Sequence, residues 1–219
     1  MTRTAVVGVG SFGQQHARVL ASLPATKLVA VVDSNPQRSA EIAEKFGCEA
    51  LSSIDSLPGK VDAVSIAVPT ALHHEIGVAL LEEGIDILVE KPIAADLVSA
   101  DTLLQAAESN GRILQVGHLE RFNSAVEAAQ QEATLPLFFE IHRMSPFSPR
   151  SLDVDVVLDL MIHDLDILLS MVDSELERLE ATGIAVLSVK PDIASVRLVF
   201  KNGCVANLSA SRVSVEKIR

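Results

Sequence analysis

The glycine-rich stretch near the start of the chain has the spacing of a phosphate-binding loop. It is a complete G-x-G-x-x-G, Gly8-Val9-Gly10-Ser11-Phe12-Gly13. It follows an apolar run and opens a helical pattern, which is the context in which this spacing binds a dinucleotide pyrophosphate. The helix N-terminus offers N–H groups and the positive end of its dipole to the phosphates. These residues are therefore predicted to bind a dinucleotide cofactor.

An acidic residue lies at the distance expected for a ribose ligand. Asp33 ends a second apolar run, twenty residues after Gly13. A carboxylate there accepts from the ribose hydroxyls and repels a 2′-phosphate, so NAD is favoured over NADP. Arg38 weakens that preference because a guanidinium pairs with phosphate, and Ser34 is assigned to the same site. The competing interpretation is a structural glycine turn beside a solvated aspartate. It is disfavoured because the strand, the glycine spacing, the helix and the acidic residue all agree with a dinucleotide site.

A lysine follows another apolar run, in Glu90-Lys91-Pro92. The carboxyl end of a strand is where ligands bind to open α/β sheets. Lys91 could donate to a substrate hydroxyl and stabilise the alkoxide that develops there. The alternative is a surface lysine that begins a loop, and position alone does not decide between the two.

A second group of chemically competent residues lies in a long apolar helical pattern. Asp159 and His163 are four residues apart and share one face, and Asp166 is three residues further. Histidine is the natural general base near neutral pH, and a carboxylate can orient it. The alternatives are a hydrogen-bonded structural histidine and a metal site. The chain lacks an H-x-x-x-H or cysteine partner for the metal site, so no metal is predicted.

The elements that must position these residues alternate over the first 118 positions. Apolar runs typical of doubly buried strands are separated by helical patterns, which predicts a doubly wound α/β domain with a parallel sheet over residues 1–118. The predicted strands are Thr4–Gly8, Lys27–Asp33, Glu49–Leu51, Asp62–Val68, Ile85–Glu90 and Arg112–Gly117. The predicted helices are Phe12–Ala21, 35–46, Ala71–Glu83 and Asp96–Ser109.

Residues 119–219 follow a different pattern, typical of an α+β domain with a mostly antiparallel sheet. Asn202-Gly203 predicts a hairpin turn. The predicted helices are Arg121–Gln131 and Val156–Val172, and the predicted strands are Leu137–Arg143, Leu179–Val189, Ile193–Phe200 and Cys204–Val213. About 100 residues are few to cover both faces of such a sheet, so we expect a homo-oligomer that associates through it.

Composition excludes several classes of function. The 219 residues carry 18 Lys+Arg against 29 Asp+Glu, a formal net charge of −11, with no Trp and no Tyr. An acidic chain without these rings is poorly suited to nucleic acid. Dehydrogenase mechanisms that use a tyrosine acid or base are also excluded. No apolar run is long enough to span a membrane, the N-terminus has no signal peptide, and the two cysteines form no metal or disulfide pattern, so we expect a cytoplasmic protein.

Five motifs in order resemble the glucose–fructose oxidoreductase and inositol dehydrogenase family, also called Gfo/Idh/MocA: GVGSFG, AVPTALHH, VEKP, VGHLERFNSA and DLMIHDLD. The resemblance implies that Lys91, Asp159 and His163 surround the reacting substrate hydroxyl. It also implies that Pro69, Thr70 and His73 lie beside the nicotinamide ribose, with Glu90 near the cofactor. Family members usually continue further, so a shortened second domain is expected.

Within that family, the segment 118–172 is similar to bacterial enzymes that oxidise UDP-N-acetylglucosamine at C3 for the synthesis of lipid A. This likeness implies a sugar-nucleotide substrate. The candidates for contacting it are His118, Arg121, Asn123 and Arg150, and the last three are equally consistent with surface residues. The sequence therefore predicts an NAD-dependent dehydrogenase acting on a sugar or sugar nucleotide. The alternatives are a dinucleotide-binding sensor without catalysis and a shortened chain that binds NAD without turnover.

Overall fold

The first 117 residues form a parallel sheet flanked by helices. The structure is a computed structural model that describes residues 1–148 and 153–219. The strands of this unit are β1 (Thr2–Val7), β2 (Thr26–Val32), β3 (Glu49–Leu51), β4 (Ala63–Ile66), β5 (Asp86–Val89) and β6 (Leu114–Val116). They pair in parallel in the order β3-β2-β1-β4-β5-β6. This order confirms the predicted doubly wound sheet.

The apolar strands are buried on both faces, which explains why they do not alternate with polar residues. In β1, Ala5 and Val7 pack into one core while Val6 packs into the core on the opposite face. The helices that cover these faces are α1 (Gly13–Ser22), α2 (Pro36–Phe46), α3 (His73–Glu82) and α4 (Leu97–Asn110). The winding reverses between β1 and β4, so a cleft opens at the carboxyl ends of these neighbouring strands.

Local signals set the helix ends of this unit. Asn35 caps α2 by accepting from the backbone N–H groups of Gln37 and Arg38, and Gly47 ends the helix in the left-handed region at φ 66°. Asp96 caps α4 through the N–H of Ser99. Each of these boundaries follows from residues next to one another in the chain.

The second unit, His118–Arg219, has a mixed and mostly antiparallel sheet. Its elements are α5 (Ser124–Glu132), β7 (Phe138–Met144), α6 (Ile162–Met171), β8 (Leu176–Ile184), β9 (Ile193–Phe200) and β10 (Val205–Ser211). The strand order is β7-β10-β9-β8, antiparallel except for the β7–β10 pair. The predicted hairpin turn joins β9 to β10, with Gly203 at φ 84°.

One face of this sheet packs against the helix and the other is open. Alternate β9 residues, Ala194 to Phe200, are buried in the same core as Met161 and Leu168. All nine residues of β8 are exposed, including Leu179. Association through this sheet stays a prediction, which sedimentation velocity would test.

Two predicted helices of the second unit differ in their boundaries. The long helix begins with a π-helical turn over Val157–Met161 before α6, and Asp155 caps that turn through the N–H groups of Val157 and Leu158. The helix predicted from Arg121 begins at Ser124, because Asn123 supplies its cap. No helix in the described ranges 1–148 and 153–219 is long and apolar enough to cross a membrane.

The strand predicted over Leu179–Val189 ends at Ile184, because the chain then turns around a buried carboxylate. Asp192 Oδ2 accepts from the backbone N–H groups of Val186, Leu187 and Ser188 at 2.7–2.9 Å. Its Oδ1 accepts from Arg212 Nε at 2.8 Å. Burial raises the pKa of the Asp192 carboxyl, but hydrogen bonds from Ser188, Arg212 and Val186 more than offset this and hold its pKa far below the usual range.

We expect Asp192→Asn to lower the Tm at pH 7 by roughly 5 °C or more, because it leaves buried donors unmatched. Since the folded-state pKa is depressed, the carboxylate stabilises the fold above about pH 4, and this stabilisation is lost as the pH falls further. The Tm difference between wild type and variant should therefore shrink between about pH 4 and pH 2. Thermal unfolding followed by circular dichroism measures it.

Asp173, which is exposed, supplies the matched control as Asp173→Asn and should leave the Tm unchanged. An Asp192→Asn variant that melts with wild type at every pH would contradict the assignment.

Candidate active site

Two glycines of the loop between β1 and α1 are required by the packing of the protein itself. Gly8 has φ 83°, and a Cβ placed there would lie 2.7 Å from the carbonyl oxygen of Ala67. A Cβ on Gly13 would collide with the carbonyl oxygen of Gly8. The first turn of α1 therefore lies directly on the end of β1, as the G-x-G-x-x-G pattern predicts.

Packing within the protein does not explain the middle glycine of the loop. A Cβ on Gly10 would meet no protein atom within 4 Å, so the fold does not need glycine at this position. The helix that follows begins at Gly13 without a side-chain cap. Uncapped N–H groups beside open space suit the pyrophosphate of a dinucleotide. The loop therefore fits the cofactor that the sequence predicts.

Asp33 makes contacts within the protein that the sequence did not reveal. It is 6% exposed, and its Oδ2 accepts from the backbone N–H of Val9 at 2.9 Å, while its Oδ1 accepts from Asn35 N–H at 2.8 Å. Arg38 Nη1 lies 3.5 Å from Oδ2. The carboxylate thus ties the glycine loop to the end of β2 as well as facing the cavity beside it.

A cavity of about 760 Å³ lies at the carboxyl ends of β1, β2 and β4. Its volume is in the range of cofactor and ligand sites, about 300–1,000 Å³. Of the predicted cofactor residues, those that line it are Gly8, Gly10, Asp33, Ser34, Arg38 and Pro69.

The same cavity is lined by the segment Ser52–Asp55, which sequence reasoning missed. The signal was available, because this segment directly follows the short strand β3. Carboxyl ends of parallel strands share one edge of the sheet, so the residues after β3 belong beside the residues after β2.

Not every predicted cofactor residue reaches the cavity wall. The His73 ring is 1% exposed, with Nδ1 2.9 Å from the Pro92 carbonyl oxygen and Nε2 3.0 Å from that of Val68. Thr70 is 9% exposed at the start of a 3₁₀ turn, Thr70–Leu72. His73 therefore connects two backbone segments.

Glu90 and Lys91 follow β5 directly, at the same sheet edge. Glu90 is 8% exposed, and its Oε1 lies 2.9 Å from Nε2 of His16 on α1. This contact is at ion-pair distance and is not a hydrogen bond. The Lys91–Pro92 peptide bond is cis. The predicted lysine thus lies where an open α/β sheet binds its ligands.

The second unit carries the other predicted catalytic residues. Asp159 belongs to the π-helical turn and His163 to the first turn of α6, and both side chains are partly exposed. A π-helical turn is rare and is often found at functional sites. The local geometry therefore distinguishes this end of the helix from the regular turns that follow it.

Asp166, three residues beyond His163, pairs with an arginine. Arg121 Nε and Nη2 each lie 2.7 Å from one of its oxygens, a bidentate pair, and His118 Nδ1 lies 3.9 Å from Oδ1. Arg121 is one of the predicted substrate contacts, and that role stays a prediction. Across residues 1–148 and 153–219, no group of three or more metal-ligating side chains is placed to hold an ion.

The remaining predicted substrate contacts are Asn123 and Arg150. Asn123 Oδ1 accepts from the N–H of Ala125 and so caps α5. Arg150 lies outside the described residues.

The sheet order, the glycine loop and the cavity define the first unit as a Rossmann-type dinucleotide-binding domain. The model of an oxidoreductase family with an NAD-binding Rossmann fold matches residues 2–118. A GFO/IDH/MocA C-terminal domain model matches residues 123–218. The chain belongs to the Gfo/Idh/MocA family of oxidoreductases, which confirms the family expected from its motifs.

Relatives in this family include dehydrogenases. The chain is 40% identical to UDP-N-acetylglucosamine 3-dehydrogenase of Acidithiobacillus ferrooxidans, over 99% of this chain and 69% of the relative. It is 28% identical to scyllo-inositol 2-dehydrogenase (NAD(+)) of Bacillus subtilis, over 97% and 68%.

Solved structures show the same architecture. A structure of the Acidithiobacillus ferrooxidans enzyme matches with TM-score 0.92 over 100% of this chain and 72% of that chain, at 40% identity. The fold is also shared with scyllo-inositol dehydrogenase from Lactobacillus casei, a structure with bound NAD(H) and scyllo-inositol, at TM-score 0.84 and 20% identity over 98% and 70% of the two chains.

The glycine loop supplies a matched pair of variants. Gly10→Ala should keep the wild-type Tm, because its Cβ meets no protein atom, and should weaken NADH binding about tenfold or more, which corresponds to about 1.4 kcal/mol. Gly13→Ala should instead destabilise the fold by about 1–3 kcal/mol or more through overpacking. Thermal unfolding and NADH fluorescence titration measure the two effects. Wild-type NADH affinity in Gly10→Ala would contradict the assignment.

Proposed function

We propose that the protein is an NAD-dependent dehydrogenase that oxidises a sugar-nucleotide hydroxyl to a ketone, with UDP-N-acetylglucosamine oxidised at C3 as the best candidate. The observation that carries the cofactor assignment is the loop whose middle glycine opens onto the cavity beside Asp33. The substrate assignment is supported by 40% identity, over 99% of this chain, to a relative named for that activity. The family's oxidoreductase chemistry supports the reaction class.

Hydroxyl oxidation requires removal of a hydride from carbon and a proton from oxygen. When bound, the nicotinamide ring accepts the hydride. The chain has no tyrosine, so the proton must pass to another group. In our proposal His163 takes the hydroxyl proton as general base, Asp159 orients it, and Lys91 donates a hydrogen bond to the same oxygen and stabilises its developing negative charge.

Turnover tests this assignment directly. We expect NADH to form when the protein is given NAD and UDP-N-acetylglucosamine. Lys91→Ala and His163→Ala should each reduce kcat by about 10²–10⁴-fold, the usual contribution of acid–base catalysis. Because the chain has no Trp, the fluorescence of NADH reports both binding and product without interference.

Two exposed residues supply matched controls. Lys60→Ala removes a lysine paired with Glu49, and His142→Ala removes a histidine of β7; both variants should keep wild-type kcat. Tight NADH binding without turnover on any sugar nucleotide would overturn the enzymatic proposal and favour a dinucleotide sensor. Mass spectrometry of ligands that copurify with the protein tests the sugar-nucleotide class separately.

We further propose that NAD is preferred to NADP. The support is the carboxylate of Asp33 at the cavity, which would repel a 2′-phosphate, although Arg38 lies within 3.5 Å of it. Asp33→Asn should lower the NAD-to-NADP ratio of kcat/KM about tenfold or more, equivalent to about 1.4 kcal/mol.

Any damage to the glycine loop affects both cofactors equally, so this ratio isolates the effect of charge at the 2′ position. Asp55→Asn, which removes another carboxylate from the cavity wall, is the matched control and should leave the ratio unchanged. An unchanged ratio in Asp33→Asn would contradict the proposed basis of the preference.

A further inference from the structure

Two histidines of the first unit contact the residues on either side of Lys91. His73, the first residue of α3, lies 2.9 Å from the Pro92 carbonyl oxygen through Nδ1. His16 on α1 lies 2.9 Å from Glu90 Oε1 through Nε2, and its side chain is 11% exposed. Neither ring is among the residues that line the cofactor cavity. Both contacts act on the segment that carries Lys91.

The His73 ring spans the ends of two neighbouring strands. Its Nε2 lies 3.0 Å from the carbonyl oxygen of Val68, which follows β4, and its Nδ1 reaches Pro92, which follows β5. A carbonyl oxygen can only accept a hydrogen bond. A neutral imidazole ring has one N–H group and so donates to one of the two carbonyls, whereas a doubly protonated ring donates to both. A rigid ring at 1% exposure sets the separation of the two segments.

On the other side of Lys91, the Glu90 side chain contacts α1 and the backbone at Gly117. Its carboxylate faces His16, whose Nδ1 lies 2.7 Å from Ser65 Oγ on β4. A Cβ on Gly117 would lie 2.9 Å from Oε1, so the carboxylate packs directly on the backbone at Gly117. The Glu90 N–H also donates to the Ile66 carbonyl at 3.0 Å. The Glu90 backbone is thereby hydrogen-bonded to β4, and its carboxylate packs between His16 of α1 and the backbone at Gly117.

We propose that His16 and His73 are positioning residues that fix the backbone on both sides of Lys91, His16 through the Glu90 carboxylate and His73 through the Pro92 carbonyl. This inference rests on the proposed function, in which Lys91 acts on the substrate hydroxyl. A displacement of the backbone at Lys91 displaces the ammonium that this backbone carries. A misplacement of about 1 Å can reduce a rate about 10²-fold.

Conservative substitutions test the proposal. His16→Gln and His73→Gln should each lower kcat about tenfold to a hundredfold, while the Kd for NADH stays within about twofold of wild type. Hydrogen exchange of the backbone amides in 89–93 should accelerate in both variants, which reports positioning without any turnover. His74→Gln, next to His73 on the same helix, is the matched control and should leave kcat and exchange unchanged.

A double-mutant cycle separates positioning from general stabilisation. If His73 acts through Lys91, adding His73→Gln to the Lys91→Ala variant should not lower its kcat further. A purely structural role would lower the residual rate of Lys91→Ala by the same factor as in wild type, and that result would overturn the proposal. Should His73→Gln fail to fold, His16→Gln and Glu90→Gln carry the same cycle.

Different results would overturn the proposed function and the positioning role. Full activity in Lys91→Ala, or no turnover by wild type, would remove the proposed function, and unchanged amide exchange in 89–93 would then also remove the positioning role. Wild-type turnover that requires Lys91 but is unaffected by His16→Gln and His73→Gln would overturn this inference alone.

Discussion

The close approach of α1 to the end of β1 is the constraint on which the cofactor site depends. Gly13 lies on the carbonyl of Gly8, and no larger residue fits between the helix and the strand. This contact brings the uncapped helix N-terminus to the open space at Gly10. It also places the next turn of α1, which carries His16, against Ser65 and Glu90. One steric requirement thus sets both the cradle for phosphates and one support of the segment at Lys91.

Buried polar contacts hold the segments that follow the strands. Asp33 binds the N–H of Val9 across the gap between β2 and the glycine loop. His73 connects the residues after β4 with those after β5. A buried polar group is costly unless it is paired, so such contacts have two effects: they stabilise one arrangement of the loops and penalise every other. These contacts fix the segments at the edge of the sheet where open α/β folds bind ligands.

Paired polar groups also shape the second unit, where they determine the end of a strand and pair charged residues. The Asp192 carboxylate replaces the continuation of β8 with a turn, and Arg212 completes its hydrogen bonds. Arg121 and Asp166 pair at the surface of the helix that carries His163. Some charged residues that resemble ligand-binding residues in the sequence thus form ion pairs with neighbouring residues in the fold. A charged residue near a catalytic motif is therefore weak evidence of substrate contact until its partners are known.

The sequence by itself determined the features that depend on near neighbours. Strand and helix order, the helix starts at Asn35 and Asp96, the hairpin at Asn202-Gly203 and the glycine loop all follow from local backbone preferences and hydrophobic period. Only the tertiary structure decided which polar residues are partners: Asp33 with Val9, His73 with Val68 and Pro92, and Asp192 with the N–H groups of 186–188. The physical reason is that these contacts join segments through directional hydrogen bonds, which leave no periodic pattern in the chain.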